Sequence, residues 1–109
     1  MGDEKSSLGL SPNVAAALAY VFGFVSGIIV FILENDNKFV RFHSMQSIIL
    51  SVAFFVLAVI VGFIPVTGPL LGILVSIASL ICWLIGIIKA ARGEFFKFPV
   101  IGDFAEKQI

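Results

Sequence analysis

Arg41, His43, Gln46 and Ser47 stand together in a stretch that is otherwise largely apolar, and no other part of the chain is better equipped for chemistry. At helical spacing Arg41, Ser44, Ser47 and Ser51 share one face, with His43 and Gln46 on neighbouring positions. An ionisable group at membrane depth is costly, so such a cluster raises the expectation of a solute or proton pathway. A plainer reading fits the same residues. Arg41 at a membrane boundary can snorkel to the headgroups, and His43 lies only about 3 Å deeper along a helix. The cluster would then anchor the chain at the interface and supply hydrogen bonds between helices.

Catalysis has little to work with. The chain has one His and one Cys, and no acidic residue between Asp36 and Glu94, so no local acid–base pair or triad can form. His43 alone cannot assemble a metal site. No phosphate loop or dinucleotide fingerprint is present, and no cofactor is expected. Cys82, in an apolar stretch, reads as a small hydrophobe, since a reactive thiol needs an electropositive, partly exposed setting. The expectation is a protein that is not an enzyme.

The elements that carry these residues are legible from hydropathy. Residues 42–88 run for forty-seven positions without one Asp, Glu, Lys or Arg. About 20 apolar residues suffice to cross the hydrocarbon core of a bilayer, so this run alone is long enough for two crossings. Hydrophobic residues make up 60% of the chain against 13% charged, far from the balance of a soluble domain. Seven basic and seven acidic residues cancel, leaving no field that would attract nucleic acid.

The sequence therefore predicts an all-α integral membrane protein, a bundle of three transmembrane helices. A polar segment covers residues 1–11. Ser11 as a cap and Pro12 at the first helical position open helix 1 over residues 12–33. A polar loop at 34–38 ends it. Helix 2 covers 39–64, its first turns amphipathic and placed either in the interface or inside the span. A tight turn at 65–68, with prolines at 65 and 69, leads to helix 3 over 69–92. An amphipathic tail occupies 93–109. Three spans place the N-terminus and the 65–68 turn on one side. The other side holds Lys38, Arg41, Lys89, Arg92, Lys97 and Lys107, against Lys5 alone opposite. Basic residues are retained in the cytoplasm, so the expectation is a multi-pass protein of the cell membrane with its N-terminus outside and its C-terminus cytoplasmic.

Two sets of residues suggest contacts. Gly23 and Gly27 form a GxxxG on a stripe with Ala16 and Ala19, and Gly72 and Ser76 form a weaker counterpart beside Ser79, Trp83 and Gly86. Small residues allow close helix approach, either between copies in a homo-oligomer or among helices of one chain. In the tail, Phe95, Phe96, Phe98 and Phe104 alternate with charged heads, a pattern suited to the lipid interface, to the helix ends, or to another membrane protein.

Several segments together resemble a known family. They are Asn13-Val-Ala-Ala-Ala-Leu-Ala-Tyr20, then Glu34-Asn-Asp-Asn-Lys-Phe-Val-Arg-Phe-His43 with Gln46 and Ser47, and finally Gly93-Glu-Phe-Phe-Lys-Phe-Pro-Val-Ile-Gly-Asp103. In this order they resemble the small prokaryotic Tic-twenty-like membrane proteins, grouped after a chloroplast inner-envelope import component. The resemblance implies a membrane protein related to translocation components, most prokaryotic members having no defined role. Plastid relatives are proposed to form part of a protein-conducting channel and are drawn with four spans, where three are expected here. Two functions follow as expectations. One is a non-enzymatic scaffold or accessory factor in the lipid bilayer. The alternative is an oligomeric channel or transporter with the Arg41–Ser51 face as its lining.

Overall fold

The computed structural model describes residues 7–109, so most of the polar segment expected over residues 1–11 lies outside the described residues. Five helices follow in order: α1 (Pro12–Val21), α2 (Phe24–Leu33), α3 (Lys38–Gly62), α4 (Gly68–Ala91) and α5 (Ile101–Lys107). Two of them, α3 and α4, are long and apolar enough to cross a membrane, not three.

The expected first span is the correction. Gly23 takes φ 61° and ψ −133°, a region that side chains resist, and the chain turns there instead of continuing as a helix. The twenty apolar residues become two ten-residue helices that fold back on each other. Their outer ends meet: the Ser7 backbone N–H and hydroxyl donate to the Glu34 carboxylate at 2.9 and 2.8 Å. Val30 of α2 packs with Ala15 and Ala19 of α1 and Val40 of α3. At 1.5 Å per residue each arm is about 15 Å long, half the thickness of a hydrocarbon core. Composition favoured one span because hydropathy cannot distinguish twenty residues in line from ten out and ten back.

A break at membrane depth frees backbone carbonyls, and non-helical backbone there survives only where protein satisfies it. Ser26 accepts the Phe22 N–H at 3.0 Å and donates to Ala19 O at 3.0 Å. Ser47 of α3 also donates to Ala19 O, at 2.8 Å. Trp83 of α4 donates its indole N–H to Tyr20 O at 2.7 Å. The turn is thus held by side chains from three helices.

The other ends follow local rules. Ser11 and Asn37 cap α1 and α3 by accepting the N–H groups of Val14 and Val40. Gly93, at φ 77°, closes α4, and its backbone lies against the side chain of Asn13. The tail then returns over α3, where α5 packs. Because α1 and α2 double back, the start of α1, the 34–37 loop and the tail all gather at one end of a molecule 52 Å long. Among the described residues, Ser7 thus lies at the same end as the tail. Beyond Gly23, which abuts Ser51, only α3 and α4 continue among the described residues, and most of their side chains there are exposed.

Candidate functional site

The polar residues at the start of α3 separate into two faces with different partners. On the face toward α2, Arg41 donates to Glu34 O at 2.6 Å, and its guanidinium lies 4.1 Å from the Phe31 ring centre. Ser44 donates to Val40 O and Ser51 to Ser47 O, each within α3. Gly27 of α2 presses on this face. A Cβ there would lie 3.1 Å from Ser44 O and 3.0 Å from Ile48 Cγ1. Gly23 and Gly27 therefore serve the turn and the α2–α3 contact of one chain.

The other face carries a closed hydrogen-bond chain. The carbonyl of Glu94 can only accept, so His43 Nε2, 2.7 Å away, donates to it. The neutral ring then accepts at Nδ1, where the Tyr20 hydroxyl lies at 2.7 Å. Tyr20 oxygen accepts in turn from Gln46 Nε2 at 2.9 Å. Gln46 also donates to Phe96 O and accepts the Phe98 N–H, at 2.9 and 3.0 Å. One neutral tautomer thus satisfies every partner. Tyr20, His43 and Gln46 are fully enclosed, and α1, α3 and the tail converge on them.

Packing fixes the same three residues. The Tyr20 ring sits in the notch left by Gly86 of α4, where a Cβ would come within 2.7 Å of Cε1. Phe39 and Phe42 meet the His43 ring edge-on at 4.7 and 5.2 Å, and Phe95 meets Phe39 edge-on at 4.9 Å. Phe98 is buried, whereas Phe95 and Phe104 are half exposed. Phe96 meets Phe98 edge-on at 5.1 Å, and Lys89 lies 5.5 Å from its ring centre. The four tail phenylalanines thus divide between core and surface.

Sequence reasoning missed three contributors. Tyr20 and Trp83 are ordinary apolar-span aromatics until the hairpin brings their polar atoms inward. Glu34 read as part of a polar loop, yet it is completely buried. Its carboxylate collects N–H groups from Ser7, Asp36 and Asn37 as well as the Ser7 hydroxyl. Burial pulls its pKa up, but those hydrogen bonds outweigh burial and hold it below the usual carboxylate value. A signal existed: an acidic residue followed by Asn-Asp-Asn can wrap backbone donors around a carboxylate.

Past the hairpin tip lies a cavity of about 460 Å³ between α3 and α4, lined by Ser47, Ser51, Ser76, Ser79, Tyr20 and Trp83 among others. Gly72, expected to pack, faces open space. Among the described residues no group of three or more His, Cys, Asp or Glu is placed to hold a metal ion.

The relatives are membrane proteins by name. The chain is 50% identical over 103 residues to a UPF0132 membrane protein of Methanocaldococcus jannaschii, spanning 94% of this chain and 93% of the relative. It is 45% identical over 100 residues to a UPF0132 membrane protein of Archaeoglobus fulgidus, spanning 92% and 97%. A Tic20 family protein of Synechocystis is 29% identical over 106 residues, spanning 83% and 65%, which supports the Tic-twenty resemblance only as a loose relation. No solved structure matches the chain. Residues 4–105 match the family described as magnetosome magnetite crystal formation proteins, and the chain belongs to this MamF/MmsF family.

Proposed function

We propose that this chain is a non-enzymatic scaffold or accessory factor of the cell membrane, which presents its folded tail at one membrane face. One observation carries the reading. Among the described residues, every buried side-chain nitrogen and oxygen has a partner within the chain. Of the polar residues that could have lined a pathway, Arg41 and Ser47 bond to the hairpin and its loop, and His43 and Gln46 to the tail. Tyr20, His43 and Gln46 all spend their polar atoms on partners within the chain.

The charge distribution orients it. All six basic residues among the described ones stand near the end that holds the 34–37 loop and the tail, and the α3–α4 turn has none. By the retention of Lys and Arg this end is cytoplasmic, and Ser7 and the tail lie there. The family's description speaks of magnetite crystal formation, which fits an organising role at a membrane. Direct contact with mineral has less support. Glu34 is enclosed, Glu94 pairs with Lys89 and Arg92, and Asp103 and Glu106 pair with Lys97, which leaves Asp36 as the exposed carboxylate without an ion pair among the described residues. A role beside translocation components rests on the Tic-twenty resemblance alone.

The channel alternative would need polar groups to the far side, and none exists on α3 from residue 52 to 63. The test has two arms. Chain in nanodiscs, tagged at its C-terminus, is used to capture membrane partners, alongside a variant lacking residues 94–109. A specific partner lost with the tail is the expected result, and recovery of lipid alone removes the scaffold reading. Vesicles containing the chain should be no leakier to ions than empty ones. Flux abolished by Ser51→Leu would replace the scaffold by the channel.

A further inference from the structure

The α3–α4 turn is not built like a loop that meets water. From residue 63 to 71 its side chains are Phe, Ile, Pro, Val, Thr, Gly, Pro, Leu and Leu, so Thr67 has the only polar one. Phe63, Val66 and Leu70 are 81%, 94% and 62% exposed. Water would normally satisfy the backbone of such a turn. Here the chain supplies most of these bonds itself, the N–H groups of Val66 and Leu70 excepted. The N–H groups of Phe63, Ile64, Gly68 and Leu71 bond to the carbonyls of Ile60, Val61, Ile64 and Thr67, and Pro65 and Pro69 have no N–H to satisfy.

The Thr67 N–H closes back onto Pro65 O at 2.7 Å, making a three-residue turn centred on Val66. That closure places Val66 at φ 67°, a conformation costly for a β-branched residue. Where a turn meets water, solvent offers the N–H another partner. In lipid an unpaired N–H is far more costly, and the closure is favourable. The same turn occurs at Pro99–Val100–Ile101, with Val100 at φ 65°. That second turn is flanked by Lys97 and Asp103, which hold it at a polar boundary. The far turn has no such neighbour.

Length agrees. From Arg41 to Phe63 a helix rises about 33 Å, against a hydrocarbon core of about 30 Å. A molecule anchored by its charged end at the near interface reaches the far acyl–headgroup boundary and stops. We propose that the tip formed by Phe63, Ile64, Val66 and Leu70 is a lipid-contact surface, seated in the distal leaflet and not in the aqueous space beyond. Its partner is the acyl and glycerol region of phospholipid. The inference rests on the reading of α3 and α4 as spans, and it adds that the protein meets water on one face only.

The test uses the full chain with Cys82→Ser, carrying Val66→Cys, Leu70→Cys or Gln108→Cys, in sealed phosphatidylcholine–phosphatidylglycerol vesicles with oleoyl chains. A membrane-impermeant maleimide is supplied outside or trapped inside. Leu70→Cys stands outside the strained turn and keeps the test valid should Val66→Cys misfold. The expected result is loss of labelling at both tip positions from either face, full labelling after detergent, and labelling of Gln108→Cys from one face. Tip labelling from the face opposite Gln108→Cys overturns the seated tip and leaves the spans standing. Tip labelling from the same face as Gln108→Cys overturns both.

Discussion

Gln46 uses its whole amide: two donated bonds, to Tyr20 and Phe96, and one accepted from Phe98. Leaving buried partners unmatched costs about 1–3 kcal/mol, so Gln46→Leu should lower the unfolding free energy in detergent by about that much and expose residues 94–109 to limited proteolysis. Tyr20→Phe removes only an oxygen, yet it strands His43 Nδ1 and one Gln46 donor, and thermal unfolding should show a loss of the same order. Gly86→Ala drives a methyl into the Tyr20 ring, and overpacking of this kind costs about 1–3 kcal/mol by the same measurement. Glu34 sets an acid limit. Its carboxyl in the folded chain lies below the ordinary value of 4.5, so its stabilising contribution is complete above that value. It is lost as pH falls through the lower folded value, because the unfolded chain takes up the proton first. A pH series of melting curves should show this acid loss, and Glu34→Gln should flatten it.

At the scale of elements, the hairpin of α1 and α2 depends on one backbone conformation and three side-chain donors. Gly23→Ala strains the turn by about 1–3 kcal/mol, and far-ultraviolet circular dichroism during heating should report an earlier transition. Ser26→Ala should act in the same direction by freeing the Phe22 N–H. The two long helices were legible in the sequence because an uncharged run of that length has few alternatives. The Ser11 cap of α1 and the proline turn were legible too. The hairpin was not. Gly23 looked like half of a packing motif, and its positive φ is a property of the folded backbone. The polar cluster was visible as residues, but its closure needed Tyr20, Trp83 and tail carbonyls that sequence spacing does not bring near.

At the scale of the whole molecule, polarity is gathered at one end and hydrophobicity at the other. This arrangement predicts that Leu10→Cys and Gln108→Cys, each in a Cys82→Ser background, are modified from the same face of a sealed vesicle. Modification from opposite faces would restore a three-span path and remove the hairpin. It also limits where the chain can be extended: tags at either end should be tolerated, whereas a charged tag inserted after Val66 should lower insertion, as read by membrane fractionation.

The indole of Trp83 reaches back across 63 residues to the carbonyl of Tyr20. During synthesis α1 and α2 leave the ribosome long before that indole exists. Until α4 arrives, the broken backbone at residues 20–23 lacks one of its donors, and lipid offers no substitute. The hairpin at the beginning of the chain thus receives its last side-chain donor from the end of the sequence.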